Sequence, residues 1–369
     1  MLLDILAGLS ILYSLQIAIF AFAAFRARYP SKKSFRPTVS IIVAARNEEE
    51  NIGRCLDSLS RLSYPAELMD IVVIDDRSTD KTEEIVQRHA AADSRIRLVV
   101  AAPETGHLRG KTNAVTQGIE ASEGEIILFT DADCEVPAGW VEETVKYYDS
   151  ARVGIVAGFT ALEAGSLFER IQTLDWFYLF SVAAATIRLR FPQTAVGNNL
   201  SVRRKAYDQV GGYRKIPFSV TEDYALFHAV TTETDFEPRF PLDPLTLVTS
   251  KACSSWRQVH HQKVRWFTGG RDMTARSLIV FSISFLFNGL LIVGLPAMWR
   301  EGFWLPVLLK CVADLAMLLP AISVFGRWKL LPAFPLFEVY YTLYVLLYPP
   351  LVLTGRGVIW KERSFPNGA

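Results

Sequence analysis

Glu125-Ile126-Ile127-Leu128-Phe129-Thr130-Asp131-Ala132-Asp133 is the stretch whose reading decides the fold. An apolar, β-rich run ending in two acids predicts a buried strand over 125–130 that delivers carboxylates to the carboxyl edge of a sheet. That edge is where open α/β folds bind ligands. At the end of an extended segment, residues i and i+2 project the same way, so Asp131 and Asp133 are placed to face one ion. A hard divalent cation, Mg²⁺ or Mn²⁺, takes one or two carboxylates and completes its shell with water and substrate phosphates. In isolation, Asp-x-Asp at a strand end is more often a helix N-cap or a solvated turn. The flanking sequence decides between the two.

Upstream, strand-like and helix-like segments alternate. A β-branched run over 39–45 precedes a helical pattern over 48–62, then a strand over 70–74 closes on Asp75-Asp76. A helix over 79–92, a strand over 96–101 and a helix over 111–121 lead back to the opening stretch. This order implies parallel strands covered by helices on both faces. Each acidic or polar cluster falls just after a strand, and hence on one edge. Two nucleotide-binding alternatives fail on spacing. No Gly-x-Gly-x-x-Gly follows the first strand, and in Gly106-His107-Leu108-Arg109-Gly110-Lys111-Thr112 three residues separate the glycines where a P-loop needs four.

The chain has 369 residues, 50% of them hydrophobic, with positive mean hydropathy, enough for one large domain plus membrane segments. A net charge of +1 and the lack of a basic stripe argue against nucleic acid as a partner. Cys55, Cys134, Cys253 and Cys311 are widely separated, which supports neither a zinc site nor a disulfide framework and suits a reducing compartment.

Hydrophobicity concentrates at the two ends. Residues 2–25 carry one charge, Asp4, and are long enough to span a bilayer. No positive region precedes them and the run exceeds a usual signal core, so a membrane anchor is expected in place of a cleaved signal. Three further candidate spans cover 277–298, 303–325 and 330–354. Arg26, Arg28, Lys32, Lys33 and Arg36 follow the first span, and Arg327 and Lys329 lie between the third and fourth, which predicts an inner-membrane protein with a cytoplasmic middle domain. Four full crossings would put Arg356, Lys361 and Arg363 on the far side, against the same rule, and Pro349-Pro350 and Glu338 leave a re-entrant or interfacial last segment open. Lys310 and Asp314, one helical turn apart within a span, are either a functional pair or a self-neutralising one. The expected organisation is a transmembrane helix over 1–27, an α/β domain over 36–253, an interfacial amphipathic helix over 254–275, a membrane region of about three segments over 276–355 and a basic tail over 356–369.

Six motifs then occur in order: Ser40-Ile41-Ile42-Val43-Ala44-Ala45-Arg46-Asn47-Glu48, Val73-Ile74-Asp75-Asp76-Arg77-Ser78-Thr79-Asp80, Arg109-Gly110-Lys111-Thr112-Asn113-Ala114, Asp131-Ala132-Asp133, Thr221-Glu222-Asp223 and Gln262-Lys263-Val264-Arg265-Trp266. Together they resemble the membrane-bound members of glycosyltransferase family 2, over nearly the whole chain. The resemblance implies a GT-A fold, a Rossmann-like mixed α/β sheet domain flanked here by transmembrane helices. It also implies an inverting transfer of a hexose from a nucleotide sugar, UDP-linked by the family pattern, with Mg²⁺ or Mn²⁺ held by Asp131 and Asp133. Asp223 is implied as general base, and Arg265 and Lys111 as fixed positive charge for the departing diphosphate. Asp75 or Asp76 is implied as acceptor for a uracil N–H. Asn113 belongs to the stretch near the uridine and diphosphate. Glu48 either contacts the nucleoside or favours a helix N-terminus. Glu222, Gln262 and Trp266 are implied as substrate-binding, and Gly197-Asn198-Asn199 falls where the family places a Gly-containing loop near the acceptor.

Gln262, Arg265 and Trp266 stand at i, i+3 and i+4, on one face of a helix just before a membrane span. Only 268–276 separates Trp266 from that span, and three short segments offer little channel. A single transfer to a lipid hydroxyl is therefore expected, with a processive polysaccharide synthase as the alternative. A non-catalytic scaffold, the third reading, does not explain why every matched acid is intact.

Overall fold

The computed structural model describes residues 1–31, 34–269, 275–353, 358–360 and 363–365. Lys32, Lys33, Arg356 and Lys361 of the charge argument, Thr354, and residues 270–274 of the short connection after Trp266 lie outside the described residues. The strands are β1 (Val39–Ala45), β2 (Met69–Asp75), β3 (Ile96–Val100), β4 (Ile126–Asp131), β5 (Cys134–Glu135), β6 (Val153–Ala157), β7 (Thr160–Leu162), β8 (Leu200–Arg203), β9 (Glu237–Arg239), β10 (Val248–Ser250), β11 (Val358–Trp360) and β12 (Arg363–Phe365). The helices are α1 (Leu2–Phe25), α2 (Ile52–Ser60), α3 (Thr82–Ala92), α4 (Gly110–Glu120), α5 (Trp140–Val145), α6 (Leu167–Arg188), α7 (Arg204–Gln209), α8 (Glu222–Glu233), α9 (Trp256–Gly269), α10 (Ala275–Glu301), α11 (Leu305–Val324) and α12 (Phe334–Leu353).

The chain divides into two compact units. One comprises Arg28–Glu163, Thr194–Lys251 and Gly357–Ala369; the other Met1–Ala27, Ala164–Gln193 and Ala252–Arg356. The expected continuous domain over 36–253 is thus corrected. It is interrupted by α6, which the sequence reading did not single out because its mean composition is that of an ordinary helix. Ser166 and Glu169 form a reciprocal capping box that starts α6, and its buried side packs on α1, α11 and α12.

In the α/β unit, a seven-stranded sheet runs in the order β3-β2-β1-β4-β8-β6-β9. β1 pairs parallel with both β2 and β4, and β2 with β3, as the alternation predicts. β8 then runs antiparallel between β4 and β6, so the sheet is mixed. The strands flanking β1 reverse the chain order, which makes the carboxyl end of β1 the crevice where such sheets take ligands. In register, Ala45 faces Asp75 and Ala44 faces Asp131, so both acids flank that crevice. Ile41, Val43, Ile71, Val73, Ile126 and Leu128 are wholly buried and supply the apolar body behind the edge. The second helix begins at Ile52 and not at Glu48, because residues 46–51 form a loop in which Asn47 adopts φ +51°.

The helical unit contains, among the described residues, four helices long and apolar enough to cross a membrane: Leu2–Phe25, Arg276–Glu301, Leu305–Val324 and Trp328–Leu351. Lys310 and Asp314 do more than neutralise each other. Lys310 Nζ donates to Asp314 Oδ2 at 2.8 Å and to Glu338 Oε2 at 2.5 Å, while Tyr13 and Tyr178 donate to Asp314 Oδ1 at 2.5 and 2.9 Å. This network ties α1, α6, α11 and α12 together, and charge within apolar helices is tolerated when paired in this way.

Gly124 tests the β1/β4 junction. A Cβ there would stand 2.3 Å from Ser40 N and 2.5 Å from Val39 C, both backbone. Gly124→Ala should cost at least about 1–3 kcal/mol, the usual range for overpacking. The readout is the unfolding midpoint of the detergent-solubilised protein, and an unchanged midpoint would contradict the close approach.

Candidate active site

At the crevice, one ammonium holds acids from two elements. Lys111, in the first turn of α4, places Nζ 2.7 Å from Asp131 Oδ1 and 2.8 Å from Glu222 Oε1. Glu222 and Asp223 open α8, where acids sit well beside the helix dipole. Asp223 Oδ2 accepts from Gly197 N at 2.5 Å, and its Oδ1 from Tyr224 N at 2.8 Å. The approach is close enough that a Cβ on Gly197 would meet Asp223 Cβ at 2.8 Å. Lys111, Thr130, Asp131, Tyr213, Glu222 and Asp223 line one pocket.

Burial pushes the Asp223 carboxyl up to about 6, helped by the Glu222 charge and opposed by Lys111 and the two backbone donors. For Lys111, burial works against the ammonium, but Asp131, Glu222 and Asp223 outweigh it and hold the group above the usual lysine range. A carboxylate titrating near neutrality beside a fixed cation is a placement suited to taking a proton.

Asp133 lies in the turn between β4 and β5, half-buried, and its Oδ1 accepts from the Cys134 thiol at 3.5 Å. Among the described residues no group of three or more His, Cys, Asp or Glu is placed to hold a metal. Two carboxylates, Asp131 and Asp133, are the set on offer, which suits a hard cation that draws its remaining ligands from phosphate and water.

Asp75 is 1% exposed; its Oδ2 accepts from Ser78 N at 3.0 Å, and its Oδ1 is buried with no hydrogen-bond partner among the described residues. An orphaned buried carboxylate oxygen is costly, and it fits an N–H donor from outside the chain. Asp76 is buried beside Asp75, with Arg77 Nη2 3.5 Å from its Oδ1. The loops after β1 and β2 are zipped together: Asn47 N donates to Ser78 Oγ, Thr79 N to Asn47 Oδ1, and Glu48 N to Thr82 Oγ1. Glu48 also accepts from Asn51 Nδ2 at 2.7 Å. Asp80, the residue before the N-cap Lys81, accepts from Thr82 N at the start of α3 at 3.0 Å.

Two expected substrate contacts have inward tasks. Asn113 is buried and donates to Ala102 O at 3.0 Å, fixing the segment after β3. Asn198 is buried and accepts from Thr160 Oγ1 at 3.0 Å. Gln262, Arg265 and Trp266 all lie half-buried on α9 of the helical unit. Lys263, which the sequence reading passed over, is 1% exposed, salt-bridged to Asp175 of α6, with Nζ 4.2 Å from the centre of the Trp266 ring. A lysine one turn from Val259 on the buried side of an amphipathic helix was the available signal. Tyr213 and Thr130 were also missed; nothing in the sequence marks them apart from core residues.

The model of Glycosyl transferase family 2 matches residues 40–211, and that of Glycosyl transferase family group 2 matches 126–355, more than half of the chain. The chain belongs to glycosyltransferase family 2. Beta-monoglucosyldiacylglycerol synthase of Nostoc sp. is 32% identical over 246 residues, 63% of this chain and 49% of that protein. Poly-beta-1,6-N-acetyl-D-glucosamine synthase of Staphylococcus epidermidis is 26% identical over 64% of this chain and 56% of its own length. The chain therefore spans about half the length of the curated relatives it matches. Among solved structures, mannosyltransferase PcManGT from Pyrobaculum calidifontis, in complex with GDP-Man and Mn²⁺, superposes with a TM-score of 0.61 at 20% identity, covering 92% of this chain and 99% of that one. The family 2 domain thus has the GT-A fold.

Gly197→Ala should displace the Asp223 carboxylate by steric contact and lower turnover about tenfold or more, a small misplacement being costly in a reacting geometry. Steady-state kinetics against wild type check this, and unimpaired turnover would show that the Gly197–Asp223 contact is not needed.

Proposed function

We propose that this chain is an inverting, divalent-metal-dependent glycosyltransferase that moves one hexose from a nucleotide sugar, UDP-linked, to the hydroxyl of a membrane lipid. The observation carrying the reading is the convergence of Lys111, Asp131, Glu222 and Asp223 on one pocket at the carboxyl edge of the sheet. Asp223 takes the acceptor hydroxyl proton as that oxygen bonds to the anomeric carbon, while the bond from that carbon to the diphosphate oxygen breaks on the opposite face. A single displacement inverts the configuration. Its raised affinity for protons and its position outside the Lys111 bridge suit it to this task.

Lys111 supplies fixed positive charge beside the departing diphosphate, and Arg265 is proposed to do the same from α9. A divalent ion held by Asp131 and Asp133 would supply Lewis-acid stabilisation of the leaving group. The orphaned Oδ1 of Asp75 supports recognition of a nucleobase N–H, with Asp76 and Glu48 beside it in the zipped loops. Asn113 and Asn198 act by shaping these walls, Gly197 by donating to the base, and Glu222 by holding Lys111. Gln262 and Trp266 are proposed as acceptor-side contacts. The apolar helices and the likeness to a diacylglycerol glucosyl synthase support a lipid acceptor and an inner-membrane location with the α/β unit cytoplasmic. The likeness to a polysaccharide synthase keeps a processive reaction as the second reading. An assembled acid–lysine site speaks against a non-catalytic scaffold.

Asp223→Asn should retain donor binding and lose transfer by at least about a hundredfold, the lower range for loss of a general base. In wild type, the rate should fall as pH drops through about 6, because the base is lost on protonation. A pH-independent rate between 5 and 8 would remove Asp223 from this role.

Asp133→Ala should abolish turnover and weaken binding of a uridine diphosphate sugar in Mn²⁺, measured by calorimetry alongside EDTA-treated wild type. Full activity in either case would sink the metal assignment. Mass spectrometry of lipid products made in excess donor distinguishes the two readings of the acceptor: one added hexose supports single transfer, and a ladder of long oligosaccharides supports the synthase.

A further inference from the structure

Helix α9 carries Gln262, Arg265 and Trp266, and its only fully buried charge is one the family motif does not name. Lys263 Nζ is salt-bridged to Asp175, lies 4.2 Å from the Trp266 ring centre and 4.6 Å from that of Tyr344, and is 1% exposed. Tyr340 Oη donates to the same Asp175 oxygen at 3.4 Å. The Trp266 ring in turn stands 5.6 Å from Trp176, one residue after Asp175 on α6. The ammonium is therefore caged by two aromatic faces and one carboxylate, all from the helical unit. Burial pulls it below the usual lysine range, with Asp175 working in the opposite sense.

A buried ion pair is a weak source of net stability, because desolvation offsets the attraction, and its best-attested use is to fix one arrangement over its neighbours. At about 100° per residue, Arg265 projects roughly 160° away from Lys263, and Gln262 and Trp266 lie between them on the same side. Whatever fixes the direction of Lys263 fixes the rotation of α9, and with it the direction of Arg265. An apolar residue at 263 would pack on the same aromatic rings at a range of rotations, while the ammonium accepts only the one that meets Asp175.

We propose that Lys263 and Asp175 are a positioning pair that sets the rotation of α9 and holds the Trp266 ring, so that Gln262, Arg265 and Trp266 are kept in one fixed orientation on that helix. The proposal rests on the roles proposed above for those three residues, Arg265 as fixed positive charge for the diphosphate and Gln262 and Trp266 as acceptor-side contacts.

The test uses the full chain in detergent with a uridine diphosphate sugar and a lipid extract. Asp175→Asn leaves a buried ammonium unpaired and should lower the unfolding midpoint. The double variant Lys263→Met/Asp175→Asn removes both charges and should recover most of that midpoint. It should nevertheless keep the donor KM within about twofold while kcat stays at least tenfold below wild type, since one small misplacement costs that much. Asp175→Glu keeps the charge pair but lengthens it by a methylene, and should lose kcat at a near-normal midpoint; it decides the matter if the double variant is unstable. A double variant, or an Asp175→Glu protein, with wild-type kcat overturns the positioning role. Arg265→Ala is measured in parallel. If it transfers normally, the role of the motif and the positioning pair fall together; if it fails while the double variant transfers normally, only the pair falls.

Discussion

The site depends on one ammonium. Asp131 comes from the end of a strand and Glu222 and Asp223 from the start of a helix far along the chain, so three carboxylates crowd one pocket. Like charges at that range repel, and burial sharpens the repulsion. Lys111 bridges two of the acids directly and lowers the third by its field, which lets all three converge. Its place at the first turn of α4 follows from the short segment after β3, which Asn113 and Gln117 fasten through Ala102. The chemistry proposed for the pocket begins from this charge arrangement.

Sheet topology explains why these residues meet. Parallel pairing on both sides of β1 sends Asp75 and Asp131 to one edge, and the reversal of strand order opens a crevice there. β8 matters for a different reason. Running antiparallel beside β4, it starts from the Gly197–Asn199 turn, so the donor to Asp223 emerges beside the end of β4. Trp140 and Thr246 anchor that turn through Asn199, which shows why its asparagines point inward.

The helical unit solves a separate problem. Helices that are apolar all round have little to choose between packing arrangements, since lipid and side chains are alike. Here buried polar groups make the choice. Lys310, Asp314 and Glu338, with the hydroxyls of Tyr13 and Tyr178, join α1, α6, α11 and α12. Lys263 and Asp175 do the same for α9 and α6. Each of these groups is buried, so its partners specify one arrangement.

Local chemistry made much of this legible in the chain itself. The β-branched runs ending in Asp75 and Asp131, the spacing that rules out a P-loop, the ordered motifs and the four long apolar stretches all follow from patterns a few residues long. The α/β domain, its family and its four helices long and apolar enough to cross a membrane are therefore read without a fold. What needed the tertiary structure was every decision made by a distant partner. The family resemblance places Asn113 and Asn198 near the substrates, and only the tertiary structure shows the hydrogen bonds they make to Ala102 and Thr160. Asp75 ends β2 and Asp80 stands in the loop that follows, and only the tertiary structure shows that Asp80 accepts from Thr82 N while Asp75 Oδ1 is left without a hydrogen-bond partner among the described residues. The place of Lys263 on the buried side of its helix is a local signal, but its partner is not, because the carboxylate that fixes the lysine is 88 residues away in the chain. Periodicity records which face of an element is buried; it does not record what waits on the other side.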